Sequence, residues 1–236
     1  MDKGKATILL YHQIGEYPKE QTNLDCFCKV EQFEEQLRFL QESNIELISL
    51  RSLVSKMNNN EAFDRDYVVL TFDDGCERFQ TITLPILQKY DIPATIYPVS
   101  GDIGCVASWP KVINSDLRLL SEDNLRKVVM SGIDIGGHTV NHIKLGVVPV
   151  REAEAEVVSC KKDLESIIGE ELYSFSYPHG SYNSQIAKLV STSGFDCAVT
   201  CKSAFVYGDE DIFQLPRKYV TYSDTINSFK QIIGYE

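Results

Sequence analysis

Two adjacent carboxylates at the end of an apolar segment are the clearest candidates for chemistry in this chain. Asp73 and Asp74 follow residues 68–72, whose apolar run predicts a buried strand, and Gly75 comes next. In parallel α/β proteins the carboxyl ends of strands open onto the active-site face. Because neighbouring strand positions point to opposite faces, the two acids must take different roles unless the backbone twists there. An ordinary Asp-Gly turn after a strand explains the segment equally well by itself.

A pair of histidines favours the chemical interpretation. His138 and His142 follow residues 133–137, which predict a short strand that closes on two glycines. Histidines four apart lie on one side of a helical turn, so both imidazoles can reach one ion. Imidazole and carboxylate are normal ligands of zinc and other first-row divalent metals. An isolated pair is more often a surface or core feature, but here it makes up half of the four histidines in the chain.

The other two histidines also lie at predicted strand ends. His12 closes the apolar segment 7–12, and His179 lies in a Pro-His-Gly turn after the segment 173–177. Barrel-like folds gather their chemistry at this end of their strands. The sequence therefore predicts that all four histidines lie near one site.

These motifs resemble those of the NodB-like polysaccharide deacetylases, which are metal-dependent de-N-acetylases and esterases that act on carbohydrates. Residues 71–75 (Thr-Phe-Asp-Asp-Gly) are similar to the first motif of the family, and residues 138–142 (His-Thr-Val-Asn-His) are similar to its second. Residues 176–180 (Ser-Tyr-Pro-His-Gly) resemble the third motif without the arginine that usually opens it. The resemblance extends from Ile8 to about Val220.

The N-terminal segment indicates which branch of the family the sequence resembles. Residues 10–14 (Leu-Tyr-His-Gln-Ile) are similar to the branch that contains poly-N-acetylglucosamine deacetylases. In that branch the motif order is permuted, and a histidine near the start replaces the one usually found near the end. Consistent with this, no histidine follows His179. Residues 215–217 also resemble that branch, in which an arginine from the last strand supports the site, so Arg217 would supply the guanidinium that the third motif lacks.

The resemblance implies a division of roles among these residues. Asp74, His138 and His142 would hold one divalent metal ion, most simply Zn²⁺, and a bound ion of this kind activates water and polarises an acetyl carbonyl. Asp73 would be the general base, oriented by a paired Arg217 guanidinium. A second group, His12, would be the general acid that protonates the departing amine.

Substrate contacts are expected from two further segments. Tyr177, Pro178, His179 and Gly180 form the third-motif turn, and a backbone N–H of this turn would stabilise the oxyanion. His179 stands where the family more often has an aromatic residue. The only tryptophan, Trp109, lies in the irregular segment 100–120. It is a candidate wall for a sugar ring, although a buried tryptophan is the commoner explanation.

Composition limits the partners. The 236 residues carry a formal net charge of −11, which argues against binding nucleic acid or anionic membranes through bulk charge. No apolar run reaches the length of an integral membrane segment, and the polar residues 1–5 lack a signal-peptide core, so we expect a cytoplasmic protein. The expected partner is a carbohydrate substrate, and no sequence feature indicates an oligomeric state.

The cysteines do not suggest a metal site. There are seven, an odd number, and no Cys-x-x-Cys pair occurs. We expect most of them to be reduced and buried as small apolar side chains. Cys76 follows the Asp-Asp-Gly turn directly, and packing is favoured there over a nucleophilic role, because such a role would require a base aimed at the thiol and the metal chemistry leaves no need for one.

Strand-like and helix-like segments alternate along the chain, which predicts one α/β domain over residues 1–236. The resemblance implies that this domain is a distorted or incomplete (β/α) barrel. Strands are predicted near residues 6–11, 45–49, 67–72, 94–99, 133–136, 173–177 and 196–200.

Two classes of function remain at this point. The resemblance implies a metal-dependent hydrolase that removes an acetyl group from an N-acetylated amino sugar or polysaccharide. The alternative is a catalytically weak or inactive member of the same fold that only binds carbohydrate, and the missing third-motif arginine favours it. The intact acid pair and both motif histidines favour the enzyme, since a binding module needs no general base beside three metal ligands.

Overall fold

A computed structural model of the chain describes residues 4–16, 24–109 and 117–235. Its strands are β1 (Ala6–Tyr11), β2 (Gln13–Ile14), β3 (Phe27–Cys28), β4 (Glu46–Leu47), β5 (Tyr67–Asp74), β6 (Ala94–Pro98), β7 (Asp134–Ile135), β8 (Ser174–Ser176), β9 (Cys197–Val199) and β10 (Lys218–Tyr219). Its α-helices are α1 (Val30–Glu42), α2 (Leu50–Asn58), α3 (Leu84–Lys89), α4 (Glu122–Met130), α5 (Val150–Ile168), α6 (Ser184–Thr192) and α7 (Ile226–Ile233).

The strands form a parallel arrangement centred on β5, which is buried along its whole length. The main sheet has the order β10-β1-β5-β6-β7, and β4 pairs with the start of β5. A second parallel pair, β8-β9, is linked to this sheet by single bridges from Gly137 to Phe175 and from Val199 to Leu215. This distorted, incomplete barrel confirms the predicted fold class, and it brings the carboxyl ends of β1, β5, β8 and β9 to one rim.

All seven predicted strands are present, some of them shorter than expected, and the two-residue strands β2, β3 and β10 are additions. The helices cover the strands with the apolar faces that periodicity predicts. Helix α1 buries Phe33, Leu37 and Leu40, while α5 buries Ala153, Val157, Cys160 and Leu164 together with one acidic residue, Glu156. No helix within the three described segments is long and apolar enough to cross a bilayer.

The cysteines lie as predicted for a protein without disulfides. All seven are free, and Cys28, Cys76, Cys160 and Cys197 are buried. The Cys76 thiol lies 3.4 Å from the Gln13 side-chain oxygen, and burial raises its pKa to about 11. A thiol held in this protonated form is a packing group, not a nucleophile.

The turn that ends β5 requires glycine. Gly75 has a φ of +78°, and a Cβ at this position would lie 2.6 Å from the Cβ of Pro98 on β6. The backbone of β6 can therefore approach the end of β5 closely only because Gly75 has no side chain. This approach fixes the position of Asp74, the residue before the glycine.

We expect Gly75→Ala to destabilise the protein by roughly 3 kcal/mol, because a left-handed conformation and an overpacked contact are penalised together. Gly132→Ala is the matched control, since Gly132 has a φ of +82° but no atom lies within 4 Å of the position that a Cβ would take. The control should lose only about 1 kcal/mol. Urea unfolding of both variants measures the difference, and equal losses would show that the Pro98 contact is unimportant.

Candidate active site and metal centre

The two acids at the end of β5 face the same site, because the backbone twists between them. Asp74 has a φ of +73°, a left-handed conformation that is uncommon for a residue with a side chain. As a result, Asp73 Oδ2 lies 4.0 Å and Asp74 Oδ1 lies 3.7 Å from the same atom, His138 Nε2. The strand alternation that would have separated the two carboxylates is broken at this residue.

Asp74, His138 and His142 form a group with the geometry of a metal site. Their ligand atoms all lie within 4.8 Å of one another, and Asp74 Oδ1 is 3.4 Å from His142 Nε2. Asp74 Oδ1 is buried and has no hydrogen-bond donor among the described residues. Burial and the neighbouring charge of Asp73 raise the pKa of Asp74 to about 7. A buried carboxylate oxygen that faces two imidazole nitrogens without a donor fits a divalent cation.

The imidazole of His138 is oriented for this role. Its Nδ1 lies 2.8 Å from the backbone carbonyl oxygen of Ser176. A carbonyl only accepts, so Nδ1 carries the hydrogen and the lone pair of Nε2 points toward Asp74. Burial lowers the pKa of His138 and lowers that of His142 to about 2. Both rings are therefore neutral at pH 7, as metal ligation requires.

The segment that carries the two histidines is a loop, so the predicted helical turn is wrong. Thr139 and His142 have φ values of +65° and +54°, whereas a right-handed turn needs negative values. The rings still come together, with centroids 5.0 Å apart. The loop is held by a buried carboxylate, Glu156 on α5, which accepts hydrogen bonds from the backbone N–H groups of Val140 and Asn141. Long-range bonds of this kind override the local spacing.

Asp73 is held by a buried ion pair with Arg217. The guanidinium donates from its two terminal nitrogens to the two carboxylate oxygens, each at 2.7 Å, and the Ser176 hydroxyl lies 3.2 Å from both oxygens. Arg217 is fully buried and also donates to the Thr200 carbonyl at 2.9 Å. Burial alone would raise the pKa of Asp73, but the guanidinium holds it well below its usual range. The structure thus places Arg217 where the third-motif guanidinium was expected.

His12 lies directly after β1, at the same rim. Its ring stacks on that of Tyr219, with centroids 5.9 Å apart, and its Nδ1 has no hydrogen-bond partner within the described segments. Burial lowers the pKa of His12 to about 4, although the negative charge of Asp73 acts in the opposite direction. Sequence reasoning missed Tyr219, because a two-residue strand gives no periodic signal.

The third-motif turn contributes backbone groups more than side chains. Tyr177 is fully buried and its hydroxyl donates to the Phe213 carbonyl, so its side chain offers no surface to a substrate. Pro178 is buried as well and has no N–H. The Gly180 N–H donates to the Tyr177 carbonyl at 2.9 Å. Of this turn, the N–H of His179 therefore remains for a substrate oxygen, and the His179 ring lies 4.5 Å from that of His142.

Trp109 lies at the edge of the same site. Its ring centroid is 4.6 Å from that of His142, and the side chain is partly exposed. The indole therefore borders the candidate metal centre and keeps some surface for a ligand. A sugar contact by this ring stays a prediction, and residues 110–116 of the same segment lie outside the described residues.

Comparison with known proteins agrees with this geometry. The sequence pattern of the family described as polysaccharide deacetylase matches residues 60–198, more than half of the chain. The chain belongs to this family. One curated protein to which the chain is similar is the poly-beta-1,6-N-acetyl-D-glucosamine N-deacetylase of Staphylococcus epidermidis. It is 23% identical over 215 residues, which cover 87% of this chain and 72% of the relative.

Solved structures share the fold over nearly all of both chains. The Streptococcus pyogenes deacetylase PplD in complex with acetate has a TM-score of 0.84 at 22% identity, covering 98% of this chain and 99% of that one. IcaB from Ammonifex degensii has a TM-score of 0.81 at 20% identity, covering 99% and 97%. These likenesses confirm the expected fold, and the family match confirms the expected resemblance to polysaccharide deacetylases.

The different partners of the two acids predict different effects of the same substitution. Asp74→Asn should weaken Zn²⁺ binding, because it replaces an anionic ligand with a neutral amide. Asp73→Asn should leave Zn²⁺ binding nearly intact and lower turnover by roughly two to four orders of magnitude. Calorimetric titration of both variants with Zn²⁺ measures this, and equal metal affinities would contradict separate roles.

Proposed function

We propose that this protein is a metal-dependent deacetylase that hydrolyses the acetamide of an N-acetylated amino sugar, with Zn²⁺ as the metal. One observation carries the proposal. A carboxylate fixed by an arginine, Asp73, lies beside a separate ligand group in which the Asp74 oxygen has no donor among the described residues. Both acids lie near His138: Asp73 is ionised, and Asp74 has an oxygen free to bind a cation. Hydrolysis uses both features, whereas a carbohydrate-binding module needs neither.

The residues of the chain divide the reaction between them. Asp74, His138 and His142 would hold the ion, which supplies Lewis-acid activation of water and of the acetyl carbonyl when bound. Asp73 stays ionised and accepts the proton of the attacking water. Arg217 and Ser176 keep the carboxylate in one orientation by donating hydrogen bonds to both of its oxygens. The base is therefore pre-organised before the substrate arrives.

Product release requires a proton for the departing amine, and His12 is the proposed donor. With a pKa of about 4, the ring is neutral at pH 7, so it must take up one proton from solvent before it passes this proton to the amine nitrogen as the C–N bond breaks. A protonated group with a low pKa is a strong donor to an amine. The His12 Nδ1 atom has no hydrogen-bond partner within the described segments, and the ring stacks on Tyr219. No carboxylate is therefore bonded to Nδ1 there, and a bonded carboxylate would make His12 a weaker acid.

The acetyl group would lie between the candidate metal centre and the third-motif turn. The His179 N–H would donate to the oxyanion, because Pro178 has no N–H and the Gly180 N–H already donates to the Tyr177 carbonyl. Trp109, whose ring centroid lies 4.6 Å from that of His142, would stack on a sugar ring. The name of the Staphylococcus epidermidis relative makes a β-1,6-linked N-acetylglucosamine oligomer the first substrate to test. A nucleotide-linked or lipid-linked amino sugar is the second choice.

The proposed test is acetate release from purified protein that has been loaded with Zn²⁺. N-acetylglucosamine oligomers of increasing length, together with a nucleotide-linked N-acetyl amino sugar, serve as substrates. We expect metal-dependent acetate release from at least one of them. Carbohydrate binding without release of acetate from any substrate would favour the non-catalytic alternative instead.

Acid catalysis by His12 predicts a dependence on the leaving group. His12→Ala should retain Zn²⁺ and lose roughly two to four orders of magnitude in turnover of an N-acetyl sugar. An activated acetyl ester should lose far less, because its leaving group needs no proton. Parallel kcat measurements on the two substrates test this. Equal losses on the two substrates would show that His12 only positions the substrate, and His179 or water would then be the proton donor.

A further inference from the structure

A buried carboxylate supports the loop that carries both histidine ligands. Glu156, on the inner face of α5, is only 8% exposed. Its Oε2 accepts hydrogen bonds from the N–H groups of Val140 at 2.9 Å and Asn141 at 2.8 Å, and its Oε1 accepts from the Asn141 side-chain amide at 2.6 Å. No lysine, arginine or histidine forms an ion pair with Glu156 within the described part of the chain. Its negative charge is therefore directed entirely at this loop.

The loop needs outside support because its backbone is strained. Thr139 and His142 both adopt left-handed conformations, which residues with side chains rarely adopt without constraint from their surroundings. Successive N–H groups that converge on one oxygen form an anion-binding nest, and bonds from a carboxylate to such groups are stronger than neutral ones. Glu156 thus holds the two peptide units between the strained residues.

The opposite side of the same loop is fixed by backbone contacts. The Ser100 N–H donates to the Thr139 carbonyl at 3.1 Å, and the Gly101 N–H donates to the Val140 carbonyl at 3.0 Å. A Cβ at Gly101 would lie 2.5 Å from that Val140 oxygen, so the approach is as close as glycine allows. The loop carbonyls thus accept hydrogen bonds from the backbone of residues 100–101, and the loop N–H groups donate to the Glu156 carboxylate.

We propose that Glu156 is a positioning residue that sets the affinity of the Asp74-His138-His142 group for a divalent cation, by fixing the spacing of the two imidazoles through the loop backbone. This inference rests on the proposed metal-dependent function. It goes beyond that function because Glu156 touches neither the ligand atoms nor the substrate side. Its contribution is to keep His142 in its left-handed conformation whether or not a cation is bound.

The test compares Zn²⁺ binding to metal-free protein by isothermal titration calorimetry, with a thermal melt of each metal-free variant. Glu156→Ala removes the acceptor of two partly buried backbone N–H groups and should weaken Zn²⁺ binding by about 10- to 100-fold. Glu156→Gln keeps one oxygen for the two N–H groups, and its amide can pair with a rotated Asn141 side chain, so its Kd should stay within about threefold of the wild type. Glu154→Ala, an exposed position on the same helix, is the matched control and should change neither quantity.

The outcomes separate this inference from the proposed function. If Glu156→Ala lowers the Tm but binds Zn²⁺ as tightly as the wild type, Glu156 serves only stability and the inference is wrong. If Glu156→Ala does not fold, Asn141→Ala replaces it. This variant removes one of the three bonds at an exposed residue and should weaken binding by roughly fivefold, and an unchanged Kd would overturn the inference. A wild-type protein that binds no Zn²⁺ would overturn the proposed function together with this inference.

Discussion

The site depends on the buried ion pair between Asp73 and Arg217. The guanidinium comes from the segment that leads into β10, and it bonds Asp73 at the end of β5, Ser176 at the end of β8 and the Thr200 carbonyl just after β9. One side chain therefore joins the ends of strands that belong to two separate sheets. Removal of either partner would leave an uncompensated buried charge, which makes the pair a strict constraint on how the barrel closes around the site.

The same pair explains why two adjacent identical residues behave differently. Asp73 receives both guanidinium nitrogens and a hydroxyl, so its carboxylate is ionised and fixed. Asp74 is turned toward His138 and His142 by its left-handed backbone, and its Oδ1 receives no donor among the described residues. In the proposed function, these different surroundings alone would suit Asp73 to proton transfer and Asp74 to binding a cation, which is the usual way in which paired carboxylates acquire separate roles.

The sequence predicted the residues that belong to short local motifs. It did not predict the conformations that contacts between distant segments impose. The strands, the three candidate ligands and the pairing of Arg217 with Asp73 follow from local patterns and the family resemblance. The loop conformation of residues 138–142 does not, since it is imposed by Glu156 from another element. Glu156 leaves one signal, an acidic residue on the otherwise apolar face of α5, where it interrupts the helical periodicity. The burial of the Tyr177 side chain was not predictable either, because the motif gives the backbone position of this residue and not the direction of its side chain.

The central claim is that one ion held by Asp74, His138 and His142 is required for removal of an acetyl group. Metal-free protein titrated with Zn²⁺, with acetate release from an N-acetylglucosamine oligomer recorded at each addition, tests this claim most directly. We expect that acetate release is absent at the start, rises with added Zn²⁺ and reaches its plateau at about one equivalent per chain. Acetate release from the metal-free protein, or a plateau that requires several equivalents, would contradict the claim.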